Sequence, residues 1–209
     1  MKRIVFLFPL MIMVIHTNAQ LKDIRLPQPQ RSGGKGLMDC LNERKSDRTF
    51  ADKALDLQTL SDLLWAAYGI NRESESKRTV PSALNMQEMT LYVFIKEGVY
   101  LYDAKENNLK ALLEGDHRKA TGSQDFVKNA SVNIVYVANF NKMGKAGDKK
   151  SEYAYADAAF ICQNVYLFCA SRGLATVVRG SVNGNEIKRL LSLPEDLKVI
   201  FGQSVGYKE

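Results

Sequence analysis

Tyr153-Ala154-Tyr155-Ala156-Asp157-Ala158-Ala159-Phe160-Ile161-Cys162-Gln163-Asn164-Val165-Tyr166-Leu167-Phe168-Cys169-Ala170 is apolar except at Asp157, Gln163 and Asn164. Gly173 follows as a natural stop, since glycine accepts the left-handed backbone that ends many helices. The spacing predicts a helix that is apolar nearly all round, and such a helix must be buried on more than one side. In a domain of this size it is expected at the centre, with a second subunit as one way to cover its outer face.

Working outward, Ala175–Arg179 reads as a buried strand. A helix carrying Ile187, Leu190 and Leu191 comes next, stopped near Pro194, and Leu197–Val205 reads as a final strand. On the other side, Ser131–Ala138 is a β-branched strand, and Met89–Ile95 with Val99–Tyr102 form a hairpin through Glu97-Gly98. Asp56 can cap a helix whose apolar face is Leu57, Leu60, Leu63, Leu64, Ala67 and Tyr68, with Gly69 ending it. Residues 71–79 read as a solvated loop. Residues 20–37, with Pro27, Pro29, Gly33, Gly34 and Gly36, read as an extended arm ahead of one domain over 38–209. Strands and helices alternate irregularly, which gives the α+β class.

Composition narrows the function. The chain has 209 residues, a net charge of +6 and 45% apolar residues. These values suit one globular domain and exclude a disordered, collagenous or disulfide-stapled chain. Lys2 and Arg3, the apolar run Ile4–Ile15 and the small-residue site Thr17-Asn18-Ala19 have the layout of a signal peptide over residues 1–19. An uncleaved anchor is the alternative. Export to the periplasm or outside the cell is therefore expected. Lys2 and Arg3 would leave with the leader, lowering the charge from +6 to +4, too mild to imply nucleic acid.

Cys40, Cys162 and Cys169 have no metal-ligand spacing. On one helix, Cys162 and Cys169 would lie about 10 Å apart along its axis, too far for a disulfide. They read as small apolar fillers. Once His16 is removed, His117 is the only histidine, so neither a zinc site nor a Ser-His-Asp triad is expected. If the chain is an enzyme, a cofactor carries its chemistry.

Three segments could hold one. In Arg44-Lys45-Ser46-Asp47-Arg48, alternation sends Arg44, Ser46 and Arg48 to one side of an extended segment, two guanidinium forks and a hydroxyl facing a common anion. A solvated basic turn would read the same way. In Arg78-Thr79-Val80-Pro81-Ser82-Ala83-Leu84-Asn85-Met86-Gln87, proline fixes the backbone while Asn85 and Gln87 offer paired donors and acceptors to a heterocycle edge. A Pro-initiated turn into a helix is the plainer alternative. In Ser171–Gly180, the strand end at Arg179-Gly180 lets backbone approach a flat ligand, because glycine has no side chain to block it.

Taken in order, these segments resemble the FMN-dependent nitroreductase superfamily. Arg44–Arg48 is similar to its R-[RK]-S-x-[RK] signature and Pro81–Gln87 to its P-S-[SA]-x-N-x-Q loop. Asp157-Ala158-Ala159 through Gln163-Asn164 to Gly173-Leu174 resembles its central helix. Leu63–Ile70, Arg78–Ala83 and Gly98–Asp103 lean toward the subgroup containing azoline dehydrogenases of peptide natural-product biosynthesis. The resemblance covers about residues 38–207.

The resemblance implies a central, mixed and mainly antiparallel sheet flanked by helices, in an intertwined homodimer with FMN at the interface. It places Arg44 and Ser46, with Lys45 between them, at the FMN phosphate and ribityl chain, and Arg48 at the pyrimidine edge. Positive charge there favours the reduced, anionic flavin. Pro81, Ser82, Ala83, Asn85 and Gln87 would reach the FMN bound mainly by the other subunit, and Gly180 would lie beside N5. No side chain is implied as the catalytic group, because the flavin N5 carries the reaction, and no metal is implied. Arg179 stands where several relatives carry Glu, and the chain ends at Lys208-Glu209 without a longer basic tail, leaving Lys208 as the tail's candidate phosphate contact.

The implied activity is ping-pong two-electron transfer from a donor such as NAD(P)H to a nitroaromatic or quinone. Export conflicts with that donor, which is cytoplasmic. A flavin-binding protein without turnover and an azoline-type dehydrogenase are the alternatives.

Overall fold

The computed structural model describes residues 21–209. The expected signal peptide, residues 1–19, lies outside the described residues. Among the described residues, no helix is long and apolar enough to cross a membrane.

The arm carries only a two-residue strand, β1 (Ile24–Arg25), before helix α1 (Leu37–Glu43) begins at its end. It is strapped across the next helix, α2 (Leu57–Tyr68): the Ser61 hydroxyl donates to Pro27 O, and Gln30 N–H donates to Asp62. Asp56 caps α2, accepting from Thr59 N–H at 2.8 Å and from its hydroxyl at 2.7 Å. The cap pairs one donor of the first turn that no helical carbonyl can reach. Leu60, Leu63, Leu64, Ala67 and Tyr68 are buried at the i, i+3, i+4, i+7, i+8 spacing of one helix face.

After α2 the polar stretch expected as a loop forms a small hairpin, β2 (Ile70–Arg72) with β3 (Lys77–Arg78). A 3-10 turn at Glu73–Glu75 joins them, closed by Ser76 at φ 53°. The strands are too short and wet to show hydrophobic alternation, so nothing in their pattern separates them from a loop.

The main sheet has the order β1-β6-β5-β4-β7-β9-β8. Its members are β4 (Met89–Ile95), β5 (Gly98–Asp103), β6 (Asn108–Glu114), β7 (Val132–Asn139), β8 (Leu174–Arg179) and β9 (Leu197–Tyr207), joined to β1. Every one of its pairings is antiparallel. Ile134 and Tyr136 of β7 face the core under α2 and helix α3 (Lys150–Arg172). Val135 and Val137 face the other way, onto Ile187 of helix α4 (Gly184–Leu190). Cover on both faces explains why β7 is apolar without alternation.

Helix α3 ends at Gly173, at φ 69°, whose N–H donates to Cys169 O. Ala154, Ala158, Ile161, Cys162, Val165 and Cys169 are buried, and both cysteines are free. Burial all round is not reached within one chain. The sheet and α2 cover about half the circumference, leaving Ala156, Ala159, Phe160 and Gln163 exposed along one stripe.

Candidate functional site

The segment Arg44–Arg48 leaves α1 and runs beside β8, where Asp47 N–H donates to Thr176 O at 2.9 Å. Its anchor is Tyr166 of α3. The Tyr166 hydroxyl accepts from Val178 N–H at 3.0 Å and pairs with Ser46 Oγ at 2.7 Å. The Arg44 guanidinium lies over the Tyr166 ring, 5.3 Å from its centroid, a cation–π arrangement. Lys45 reaches Asp47 at 3.6 Å, and Lys208 lines the same crevice with Lys45, Asp47, Tyr166 and Thr176. Among the described residues neither Arg44 nor Arg48 pairs with a carboxylate, and Arg48 is exposed. The segment therefore offers two uncommitted guanidinium groups and a positioned hydroxyl to an anion.

The segment Pro81–Gln87 makes a 3-10 turn at Ala83–Asn85 rather than entering a longer helix. Leu84, Asn85 and Gln87 all have left-handed backbone, at φ 52°, 53° and 46°. Leucine and glutamine rarely adopt this conformation, and the surroundings must hold them in it. Ala83 N–H donates to Asp157 Oδ2 of α3 at 2.8 Å, and Gln87 N–H donates to Ser82 Oγ at 3.1 Å. Arg78 donates through Nε to Gln87 Oε1 at 3.0 Å and through Nη1 to Tyr68 O at 2.9 Å, while stacking 4.0 Å from the Tyr68 ring centroid. The amide of Gln87 is spent on tying the loop to the β2–β3 hairpin, because its Nε2 also donates to Ser76 O. Pro81, Ser82, Asn85 and Gln87 line a cavity of about 200 Å³ with Arg72 and Arg78. A larger space of about 550 Å³ adjoins it, sharing Arg78 and Gln87 and walled by Trp65 and Arg31.

Sequence reasoning missed the groups beneath this loop. Glu88 is fully buried, and burial pushes its carboxyl up to about 7, with Asp157 adding to the rise and Lys142 opposing it. Burial also drives the Tyr68 hydroxyl well above its ordinary range. Glu88 had no visible signal in the sequence, since a single acidic residue before a strand ordinarily reads as solvated.

The third segment is divided by its own strand. In β8, Thr176 and Val178 face α3, so Arg179 points through the opposite face of the sheet. It is 4% exposed. Its Nη1 donates to Thr121 O at 2.7 Å, its Nη2 donates to Thr121 Oγ1 and Asn133 Oδ1 at 3.2 Å each, and Nε has no partner. Burial lowers the guanidinium to about 10. The Arg179 side chain is thus not brought together with Arg44 and Ser46, whereas Gly180 is exposed at the strand's end. A Cβ added at Gly180 would meet nothing within 4 Å, so the chain's own packing does not demand glycine there.

One helix relates the first two segments. Asp157 and Tyr166 are nine residues apart, about 13 Å along α3 and about half a turn around it. They mark the two borders of its buried face, with the open stripe Ala156, Ala159, Phe160 and Gln163 between them. The basic segment docks at one border and the strained loop at the other.

The model of the nitroreductase family matches this chain over residues 41–207. A candidate nitroreductase of Methanocaldococcus jannaschii is 33% identical over 170 residues, spanning 76% of this chain and 85% of that one. The crystal structure of a candidate nitroreductase from Ralstonia eutropha has a TM-score of 0.85 and 38% identity, covering 90% of both chains. A chain of the Escherichia coli microcin synthetase McbBCD complex has a TM-score of 0.71 over 100% of this chain and 85% of that one. At 18% identity it shows a shared fold alone.

Proposed function

The chain belongs to the nitroreductase family, and from that premise we propose that it is an FMN-dependent oxidoreductase passing two electrons in ping-pong fashion to a small organic acceptor, such as a nitroaromatic or quinone. The observation that carries this reading is the placement of Arg44–Arg48 and Pro81–Gln87 at the two borders of one uncovered apolar stripe on α3. A second copy of the chain laid on that stripe would bring the basic segment of one subunit toward the loop of its partner. Exposed Leu37, Met38 and Leu41 of α1, which packs beside α3, extend the same surface. The homodimer with its cofactor at the interface follows as part of the proposal.

The residues suit the group. Arg44 and the Ser46 hydroxyl would hold the phosphate side and Arg48 the pyrimidine edge, with Lys45 and Lys208 adding charge from the crevice they line beside Tyr166. Pro81, Ser82, Ala83 and Asn85 would approach from the partner through a backbone already fixed in shape. Gly180 would leave room for the flat ring system. Bound FMN would supply the redox chemistry, accepting electrons from one substrate and passing them to the next. The chain's own work is to bind it, orient it and keep one face open, and the 550 Å³ space beside Arg78 and Gln87 is suited to a small acceptor. Residues 38–209 would form the cofactor domain behind the arm and a cleaved leader, with export to the periplasm or beyond.

Purified protein tests this. Yellow protein that bleaches anaerobically with NADH or NADPH is the expected result. The basic leader and apolar run of residues 1–19 favour a second reading, an exported flavoprotein with another donor or without turnover. Yellow protein that ignores both nicotinamides and bleaches with dithionite would support it. Colourless protein that FMN does not reconstitute would refute both. The motif likeness to azoline dehydrogenases supports a kinship with that subgroup within this proposal, and oxidation of a synthetic azoline peptide checks that activity.

A further inference from the structure

Two acidic side chains lie buried together beneath the Pro81–Gln87 loop, and the reading above uses neither for binding. Glu88 directly follows the loop and is fully buried, while Asp157 is 3% exposed. Asp157 Oδ2 accepts the Ala83 N–H at 2.8 Å. Neither oxygen of Glu88 has a well-formed hydrogen bond, and besides its own backbone N–H the polar group that acts on it most is the Asp157 carboxylate. Ionised carboxylates only accept hydrogen bonds, so two of them facing each other in a buried place repel unless one carries a proton.

We infer that Glu88 and Asp157 share one proton, and that this acid–carboxylate pair is the latch positioning the Pro81–Gln87 loop. The Glu88 O–H donates to an Asp157 oxygen. Asp157 Oδ2 meanwhile accepts the Ala83 N–H. Two acceptors are thereby reconciled by one proton, and no further donor is required.

The polar groups around Glu88 come from four elements. From α2 comes the Tyr68 hydroxyl, itself buried without a partner. From β3 comes Arg78, committed to Gln87 and to the Tyr68 carbonyl. From the 3-10 segment Phe140–Lys149 comes Lys142, whose Nζ reaches Gln87 O at 3.5 Å. From α3 comes Asp157. No ion pair joins Glu88 to either cation among the described residues. Left-handed backbone at Leu84, Asn85 and Gln87 would relax if Ala83 were released, which gives the latch something to hold.

The pH dependence has a definite sign. Glu88 binds its proton more tightly in the closed loop than it would when exposed to water. The stabilisation is complete below the ordinary glutamate range and is lost as pH rises through about 7. Above that, two buried charges repel and Ala83 N–H is freed. Glu88 is a positioning residue and touches no substrate.

The latch stands on the chain alone; only the loop's purpose rests on the cofactor reading. The test is amide hydrogen exchange at Ala83 in the full-length protein, expressed as protection relative to the free-peptide rate. Protection should fall by about tenfold or more between pH 5.5 and 8.5 in the wild type, a shift of at least one pKa unit read as a ratio. In Glu88→Gln it should stay flat, because the amide donates to Asp157 at every pH. A flat wild-type profile overturns the latch, and so does a fall that Glu88→Gln retains. If that variant does not fold, infrared spectra of wild type labelled at glutamate should show a protonated carboxyl band at pH 6 that is gone by pH 9; its absence at pH 6 overturns the latch as well. FMN affinity should fall across the same range. A chain that binds no flavin at any pH would defeat the cofactor reading while the exchange profile still decides the latch.

Discussion

The two loops bordering helix α3 are held to it by opposite means. Arg44–Arg48 rests on a hydroxyl pair at the rim, Ser46 with Tyr166, and its guanidinium groups stay free of carboxylates. Pro81–Gln87 is held by a buried carboxylate, its backbone is bent into left-handed conformations, and the polar atoms of Gln87 are spent internally. A segment that offers side-chain charge needs little scaffolding and gains by exposing it. A segment that offers its backbone must have its shape enforced, and burying polar groups underneath is how this fold enforces it.

Removing the stronger anchor should have the largest effect. Asp157→Ala leaves Ala83 N–H unpaired and Glu88 without a partner, and should lower stability in urea by about 3 kcal/mol. A loss under about 1 kcal/mol would erase the contrast between the loops. Arg44→Ala should weaken FMN binding at least about tenfold, because it removes a charge-assisted contact, while leaving stability within about 0.5 kcal/mol. Measured by flavin fluorescence, unchanged affinity would reduce the segment to a basic surface turn.

The rim anchor should cost less. Tyr166→Phe takes away the acceptor of Val178 N–H and the partner of Ser46, and should cost about 1 kcal/mol in the same unfolding experiment. Ser46→Ala leaves Tyr166 paired with Val178 and should change stability by only about 0.5 kcal/mol, while still lowering FMN affinity. A Ser46→Ala loss as large as that of Asp157→Ala would show that both loops are structural clasps.

Much of the scaffold was legible because it obeys local rules. Asp56 caps α2, Gly173 caps α3, and the expected hairpin forms, turning one residue early through Lys96-Glu97 with Gly98 already paired to Ile95. Strand β6 was not legible: Asn108–Glu114 holds three leucines with Lys110, Ala111 and Glu114, all of which suit a helix, and only pairing with β5 and β1 makes it a strand. The two motif loops could be found by their residues, but the inward turn of Arg179 could not. It depends on strand register, which sets Arg179 opposite Gly202, and a Cβ at Gly202 or Gly122 would collide with its guanidinium. Glu88 escaped for a similar reason, because its burial is created by α2, α3 and the loop together.

In the proposed dimer each cofactor site joins the basic segment of one subunit to the loop of the other. Mixed dimers of Arg44→Ala and Asn85→Ala chains test it most directly, with bound FMN counted after separating the mixed species by two affinity tags. If sites are shared across subunits, one site of the mixed dimer carries both lesions and the other carries neither, so one tightly bound FMN per mixed dimer is expected although each parent dimer binds weakly. Mixed dimers that bind no better than either parent would place both segments around the same FMN within one chain and contradict a site shared between subunits.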